Sequence, residues 1–81
     1  MNKIVYVGLN DDVYGNYYIN LLVDGKKAVI FLQGKEQLND FLGYEWDENV
    51  STNQMENGMQ TRLNEIADNI DLTKLESFEY I

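Results

Sequence analysis

The chain has 81 residues and a formal net charge of −8, and it contains no cysteine and no histidine. Without cysteine there are no disulfides and no thiolate metal sites, and without histidine the commonest general base and transition-metal ligand are missing. A domain of this length buries only about 60% of its unfolded surface, so we expect one domain, residues 1–81, with a thin core.

The first strand is predicted over Lys3–Leu9, where β-branched and aromatic residues alternate. Strict alternation would place Val5, Val7 and Leu9 on one face of the sheet. Turn chemistry follows at residues 10–12 and again at residues 14–16.

A tight hairpin is the strongest local prediction in the chain. Asp24-Gly25 suits a two-residue type I′ turn, because both central residues need a positive φ. This turn would join strands at residues 16–23 and 26–32 and fix their register. The predicted cross-strand pairs are Val23 with Lys26, Leu21 with Ala28, Ile19 with Ile30, and Tyr17 with Leu32.

Two helices follow the meander of residues 1–34. Apolar residues at helical spacing predict a short helix over residues 35–43, with Gly43 at its end. Ser51 stands three residues before Gln54, which is the spacing of a capping box, and an apolar stripe then predicts a long helix over residues 52–69.

The tail fits two structures, a further helical turn through Leu72, Leu75 and Phe78 or an edge strand over residues 77–81, and we favour the strand. The predicted fold is therefore α+β, an antiparallel sheet of three or four strands with two helices packed on one face.

The negative charge is concentrated in the second half of the chain. Residues 1–35 carry three acids against four bases, whereas residues 36–81 carry eleven acids against two bases. Contacts to phosphates require clustered Lys and Arg, so we expect no direct binding to nucleic acid and no binding to an anionic membrane surface. A basic protein is the partner that this charge favours.

We predict that the protein is not an enzyme and uses no cofactor or metal. No catalytic triad or glycine-rich phosphate loop is present, and Glu45 with Asp47 suits a solvated acidic linker better than a catalytic pair. The oxygen-bearing residues of 47–53 resemble the start of an EF-hand loop. Thr52 and Gly58, however, replace its invariant glycine and bidentate glutamate.

Acidic and aromatic side chains are the candidate binding residues. Tyr and Trp are preferred anchors at protein interfaces, and we expect Tyr14, Tyr44 and Trp46, which lie in turns or linkers, to be partly exposed. Crowded carboxylates could instead form only a solvated surface, or they could imitate the phosphates of a nucleic acid. The predicted partner-binding set is Glu36, Asp40, Tyr44, Glu45, Trp46, Asp47, Glu48, Glu65 and Asp68.

In its overall plan the chain resembles the small acidic phage-type inhibitors of the anti-CRISPR class. It shares with them the Met1-Asn2-Lys3 start, the meander, the acidic helices and the lack of catalytic chemistry, but no common motif. The resemblance implies a DNA mimic, monomeric or homodimeric, that blocks the DNA- or RNA-binding groove of a CRISPR effector in the cytoplasm of a bacterial host cell. The alternative is an accessory or self-associating module that docks through exposed aromatic residues.

Overall fold

The computed structural model describes residues 3–47, 49 and 51–81, with the backbone alone at Thr52. They form a four-stranded antiparallel sheet in the order β1-β2-β3-β4 together with two α-helices, so the predicted α+β class is confirmed. None of the described helices is long and apolar enough to cross a bilayer. The elements are β1 (Ile4–Asp11), β2 (Tyr17–Val23), β3 (Lys26–Leu32), α1 (Gly34–Leu42), α2 (Thr52–Asn69), a 3₁₀ turn (Leu72–Lys74) and β4 (Phe78–Tyr80).

The β2–β3 hairpin has the predicted turn and the predicted register. Asp24 and Gly25 have φ of 53° and 83°, as a type I′ turn requires. The cross-strand partners include Ile19 with Ile30 and Leu21 with Ala28. These side chains point to the helices and are almost fully buried. The local turn therefore determines which side of both strands enters the core.

The prediction for β1 is wrong at Leu9, because the strand contains an irregularity. The register shifts between Tyr6 and Gly8, and Leu9 is paired with Ile19 and packs against the core. A β-bulge inserts one extra residue and moves the following side chains to the other face. Val5 and Val7 remain on the exposed face, apart from Leu9. The strand also continues to Asp11, so the turn begins later than residues 10–12 suggest.

The two helices begin and end for local reasons. α1 spans Gly34–Leu42, one residue earlier than predicted, and ends at Gly43, which has φ of 79°. In this left-handed conformation the Gly43 N–H donates to the carbonyl of Asn39. α2 spans Thr52–Asn69, and the Ser51 hydroxyl accepts from the backbone N–H of Gln54 at 3.3 Å.

The core lies between one face of the sheet and the inner sides of both helices. Leu38 and Leu42 of α1 and Met59 and Leu63 of α2 have no exposed surface. The tail closes the core, since Leu72 of the 3₁₀ turn is buried there. β4 then pairs with β3, so the tail contains both a helical turn and the favoured edge strand. The face of the sheet away from the helices is uncovered, and we call it the open face.

The β1–β2 turn is organised around the carboxylate of Asp12. The carboxylate accepts hydrogen bonds from the backbone N–H groups of Tyr14 (2.8 Å) and Asn16 (3.0 Å). It also accepts from the Asn16 side-chain amide and from the Tyr18 hydroxyl. The bond from the Asn16 N–H is the main cause that lowers the pKa of Asp12 below its ordinary value of 3.8.

Replacing Asp12 with Asn is expected to destabilise the protein at neutral pH and to matter less in acid. Because the pKa of Asp12 is lower in the folded state, its stabilisation is complete above about pH 3.8 and is lost as the pH falls through the folded value. Urea unfolding of both proteins from neutral to acid pH measures the difference. Asp11→Asn is the control, and a difference that is the same at every pH would contradict the assignment.

Candidate binding surface

The linker between the helices folds back onto the rest of the protein. The backbone N–H of Trp46 donates to the side-chain oxygen of Asn39 in α1 at 2.9 Å. The indole of Trp46 meets the ring of Tyr17 edge to face, with the ring centroids 5.9 Å apart. The linker is thereby fixed both to a helix and to the first residue of β2.

Tyr44 and Gly43 lie against α2, where they face Gly58 and the guanidinium of Arg62. A Cβ added to Gly58 would lie 3.7 Å from the Tyr44 hydroxyl, an ordinary contact, so the tip of this side chain reaches α2 at Gly58. A Cβ added to Gly43 would lie only 2.7 Å from Cζ of Arg62. Burial raises the pKa of Tyr44, and the positive charge of Arg62 opposes that shift.

The linker and α2 enclose a depression that we call the linker groove. It consists of two adjoining clefts with volumes of about 370 Å³ and about 180 Å³. Tyr44 and Gly58 line both of them. The polar and aromatic residues of the linker groove are Tyr44, Glu45, Trp46, Asp47, Gln54, Asn57, Thr61, Arg62 and Glu65.

The linker groove is acidic. Glu45, Asp47 and Glu65 contribute three carboxylates and Arg62 one guanidinium, and all three acids are exposed. Arg62 binds Glu65 at 2.8 Å, which is the single ion pair within the described part of the chain. The carboxylates of Glu45 and Asp47 therefore form no ion pair with the described basic residues. Exposed carboxylates of this kind attract cationic side chains of another protein.

Five of the nine predicted binding residues meet in this groove, namely Tyr44, Glu45, Trp46, Asp47 and Glu65. Glu36 and Asp40 lie on the exposed side of α1 and line neither cleft. Asp68 lines a separate cavity of about 340 Å³ at the far end of α2. Glu48 lies outside the described residues.

The three aromatic residues expected to be partly exposed differ in their surroundings. Tyr14 is 85% exposed at the β1–β2 turn, and Tyr44 is 39% exposed at the linker groove. Trp46 is half-buried and packs against the core. Its indole nitrogen is buried without a hydrogen-bond partner among the described residues. Trp46 therefore mainly holds the linker in place, and Tyr44 is the better exposed contact residue.

Three residues that shape the groove were not predicted from the sequence. Asn39 holds the linker through its side chain, Gly58 lies beside the Tyr44 hydroxyl, and Arg62 lies against Gly43 and pairs with Glu65. Gly58 stands out in the sequence because glycine inside a helix is unfavourable, although the structure leaves room for a Cβ at this position. Asn39 and Arg62 look like ordinary polar residues of helix surfaces in the sequence.

The oxygen-rich run after Trp46 is occupied by local hydrogen bonds. Asp47 accepts from the backbone N–H of Asn49 at 2.8 Å, and the Ser51 hydroxyl caps α2. Within residues 3–47, 49 and 51–81, no three Asp or Glu side chains come together in a way that could hold a metal ion. Comparison with known proteins adds nothing to this, since no family model, curated protein or solved structure matches the chain.

Proposed function

We propose that this protein is a non-enzymatic acidic binding protein that occupies the basic DNA- or RNA-binding groove of another protein. The observation that carries this proposal is the position of the negative charge. Residues 36–81, with eleven acids against two bases, include α1 from Glu36 onward, the linker and all of α2. The strands β1 to β3 belong to the part of the chain that is nearly neutral.

The linker groove gives this charge a defined geometry. Glu45 and Asp47 flank Trp46, whose backbone and ring are held by Asn39 and Tyr17. Carboxylates on such a fixed frame can accept charge-assisted hydrogen bonds from Arg and Lys side chains, as phosphate oxygens do. Their field would also accelerate the encounter with a basic surface.

Tyr44 supplies the apolar part of the contact. Its ring is partly exposed between the two clefts of the groove, and α2 supports it from below. A tyrosine at this position adds a large contact area and loses little side-chain entropy on binding. Carboxylates around a tyrosine fit a groove in which basic residues surround exposed aliphatic or aromatic side chains.

The partner class follows from this chemistry together with the overall resemblance of the chain. Nucleic-acid-binding proteins present basic grooves of this kind, because they contact phosphates through clustered Lys and Arg. A bacterial defence effector, such as a CRISPR complex in the cytoplasm of the host cell, is the first defined partner to test. Binding there would exclude the target nucleic acid by competition.

The test compares two double variants that remove the same amount of charge. Glu45→Gln with Asp47→Asn neutralises the linker groove, and Asp11→Asn with Glu76→Gln neutralises two exposed acids outside it. Each variant is immobilised and incubated with a bacterial lysate, and bound proteins are released by rising salt and then by duplex DNA or RNA. The one tryptophan, Trp46, reports binding of any purified candidate by fluorescence.

We expect the wild type and the second variant to retain a nucleic-acid-binding protein that salt and nucleic acid both release. The groove variant should lose this partner, because the binding depends on the carboxylates that it lacks. Salt should release the partner from the wild type, because it screens interactions between exposed charges. Retention that neither salt nor nucleic acid reverses, or equal binding by both double variants, would contradict the proposal.

A further inference from the structure

The open face of the sheet is unusually apolar for a surface without a covering layer. When one face of an antiparallel sheet is solvated, its side chains are ordinarily polar. Here β1, β2 and β3 each present aliphatic or aromatic residues on that side. Val7 is 57% exposed, and Ile81, which follows β4, is 78% exposed. The apolar residues of the open face include Val5, Val7, Leu22, Val29, Phe31 and Ile81.

The open face has a trough at one end and a pair of aromatic rings at the other. Val7 and Ile81 stand on opposite sides of a cavity of about 400 Å³, which Leu22 and Lys27 also line. Further along the same two central strands, the rings of Tyr18 and Phe31 lie 5.1 Å apart. A two-fold axis perpendicular to the strands would place the ring pair of one copy over the trough of another.

We infer that the open face binds a second copy of this chain, forming a weak two-fold homodimer by packing sheet on sheet. Such an interface is self-complementary, since the same patch serves both subunits. The ring pair of each subunit would fill the trough of the other, with the aliphatic part of Lys27 against a ring. This inference is independent of the linker groove, which lies on the helical side.

Electrostatic repulsion between two copies is weakest at the open face. The chain carries a net charge of −8, so two copies repel each other along the acidic helices and linker. The strands present one base, Lys27, and one acid, Glu79, on the open face, and the Asp12 carboxylate lies at its edge against the Tyr18 hydroxyl, so the face is nearly neutral. Two copies that pack apolar side chains against each other at this face therefore repel each other less than they would at the helices or the linker.

The available area predicts a weak dimer. The four strands contain 25 residues, and at about 3.3 Å along the strand and about 4.8 Å across it these give roughly 400 Å² per copy, or roughly 800 Å² in total. Crystal contacts mostly bury less than about 800 Å², and stable interfaces bury at least about 1,200 Å². An interface at the lower of these limits should be weak and should form reversibly only as the protein concentration rises.

Sedimentation equilibrium of the purified protein, from micromolar to millimolar concentration, tests this inference. The apparent mass should rise from 9.4 kDa towards twice that value. Higher salt should strengthen the association, because it screens the repulsion between copies and favours apolar burial. Binding through the linker groove has the opposite salt dependence, so failure of one proposal can be distinguished from failure of the other.

Three variants with the same added charge locate the interface. Val7→Lys and Ile81→Lys place a cation in the trough, whereas Val13→Lys changes the 93% exposed Val13 of the β1–β2 turn. Each substitution lowers the net negative charge by one, which by itself would favour association. We expect the first two substitutions to raise the dissociation constant of the dimer at least about tenfold, because each would bury an unpaired charge in the interface. The third should leave the dissociation constant unchanged.

The inference is overturned by a wild-type protein that remains monomeric at millimolar concentration and high salt. It is also overturned if Val7→Lys and Ile81→Lys associate as strongly as the wild type, or if Val13→Lys weakens association equally. Circular dichroism of all four proteins verifies that each variant is folded, and the high exposure of the three positions makes this the expected result.

Discussion

Replacing Gly58 with alanine is expected to stabilise the protein, whereas the same replacement at Gly43 is expected to destabilise it. Gly58 lies inside α2, where glycine costs about 0.8–1 kcal/mol relative to alanine. The added methyl group would lie 3.7 Å from the Tyr44 hydroxyl, so it requires no movement. The free energy of unfolding should therefore rise by up to about 1 kcal/mol.

Gly43 has the opposite surroundings. Its φ of 79° is left-handed, a conformation that costs a residue with a Cβ about 1–2 kcal/mol. The methyl group would also displace the Arg62 guanidinium and disturb its pair with Glu65. Because that pair is exposed and Arg62 is flexible, the backbone conformation should dominate a loss of about 1–2 kcal/mol. Comparison of the two variants thus distinguishes the effect of helix propensity at Gly58 from the effect of the left-handed backbone at Gly43.

Urea unfolding followed by circular dichroism measures both variants against the wild type. The two free energies of unfolding should differ by about 2–3 kcal/mol, a large fraction of the stability of so small a domain. Equal effects of the same sign would mean that the backbone at Gly43 is not left-handed or that Gly58 is not inside a regular helix.

The parts of the fold that the sequence predicts well are those decided by neighbouring residues. Asp24-Gly25 determines the turn and, through it, the register of every pair in the hairpin. Gly43 and Ser51 mark the end of one helix and the start of the next, because each satisfies backbone groups within a few residues. These effects act over short distances along the chain and leave a signature in it.

The bulge of β1 and the linker groove could not be predicted in the same way. The irregularity between Tyr6 and Gly8 depends on how β1 packs against both β2 and α2, and alternation in the sequence gives no sign of it. The groove depends on Asn39 meeting Trp46 and on Tyr44 meeting Gly58. The acidic composition of the linker was visible in the sequence, but not which acids share a surface.

The contact between α2 and the outer edge of β1 is a further feature that only the structure reveals. The side-chain oxygen of Gln60 accepts from the backbone N–H of Tyr6 at 2.7 Å, and its nitrogen donates to the carbonyl of Ile4 at 2.8 Å. Gln60 thus replaces a neighbouring strand at this edge. The first of these bonds joins residues 54 positions apart, so no local sequence pattern predicts it.

Replacing Gln60 with Leu is expected to lower the free energy of unfolding by about 1–3 kcal/mol. Two hydrogen bonds are lost, and the N–H of Tyr6 and the carbonyl of Ile4 lose their partners at a half-buried position. Asn64→Ala is the matched control, since it removes only the 3.0 Å contact between Asn64 and the same Gln60 side chain. That variant should change the stability by no more than about 0.5 kcal/mol.

Hydrogen exchange distinguishes a local role of Gln60 from a general loss of stability. The Tyr6 amide should exchange much faster in Gln60→Leu. The Phe31 amide, which donates to the Ser77 carbonyl at 2.9 Å beside β4, should be affected only as far as global stability falls. Equal acceleration at both amides would show that Gln60 acts through packing of α2 and not through the edge of β1.

Loss of Gln60 should also change how copies of the protein associate. Free N–H and carbonyl groups on an edge strand are a template for pairing with another chain, and natural proteins cover such edges. Gln60→Leu should therefore pair through this edge, and edge pairing combined with the two-fold association that we propose for the open face should give oligomers larger than a dimer. Light scattering that shows growth beyond the dimer in Gln60→Leu, and none in Asn64→Ala, would assign to Gln60 the protection of this edge. Identical behaviour of the two variants would mean that the remainder of α2 covers the edge without it.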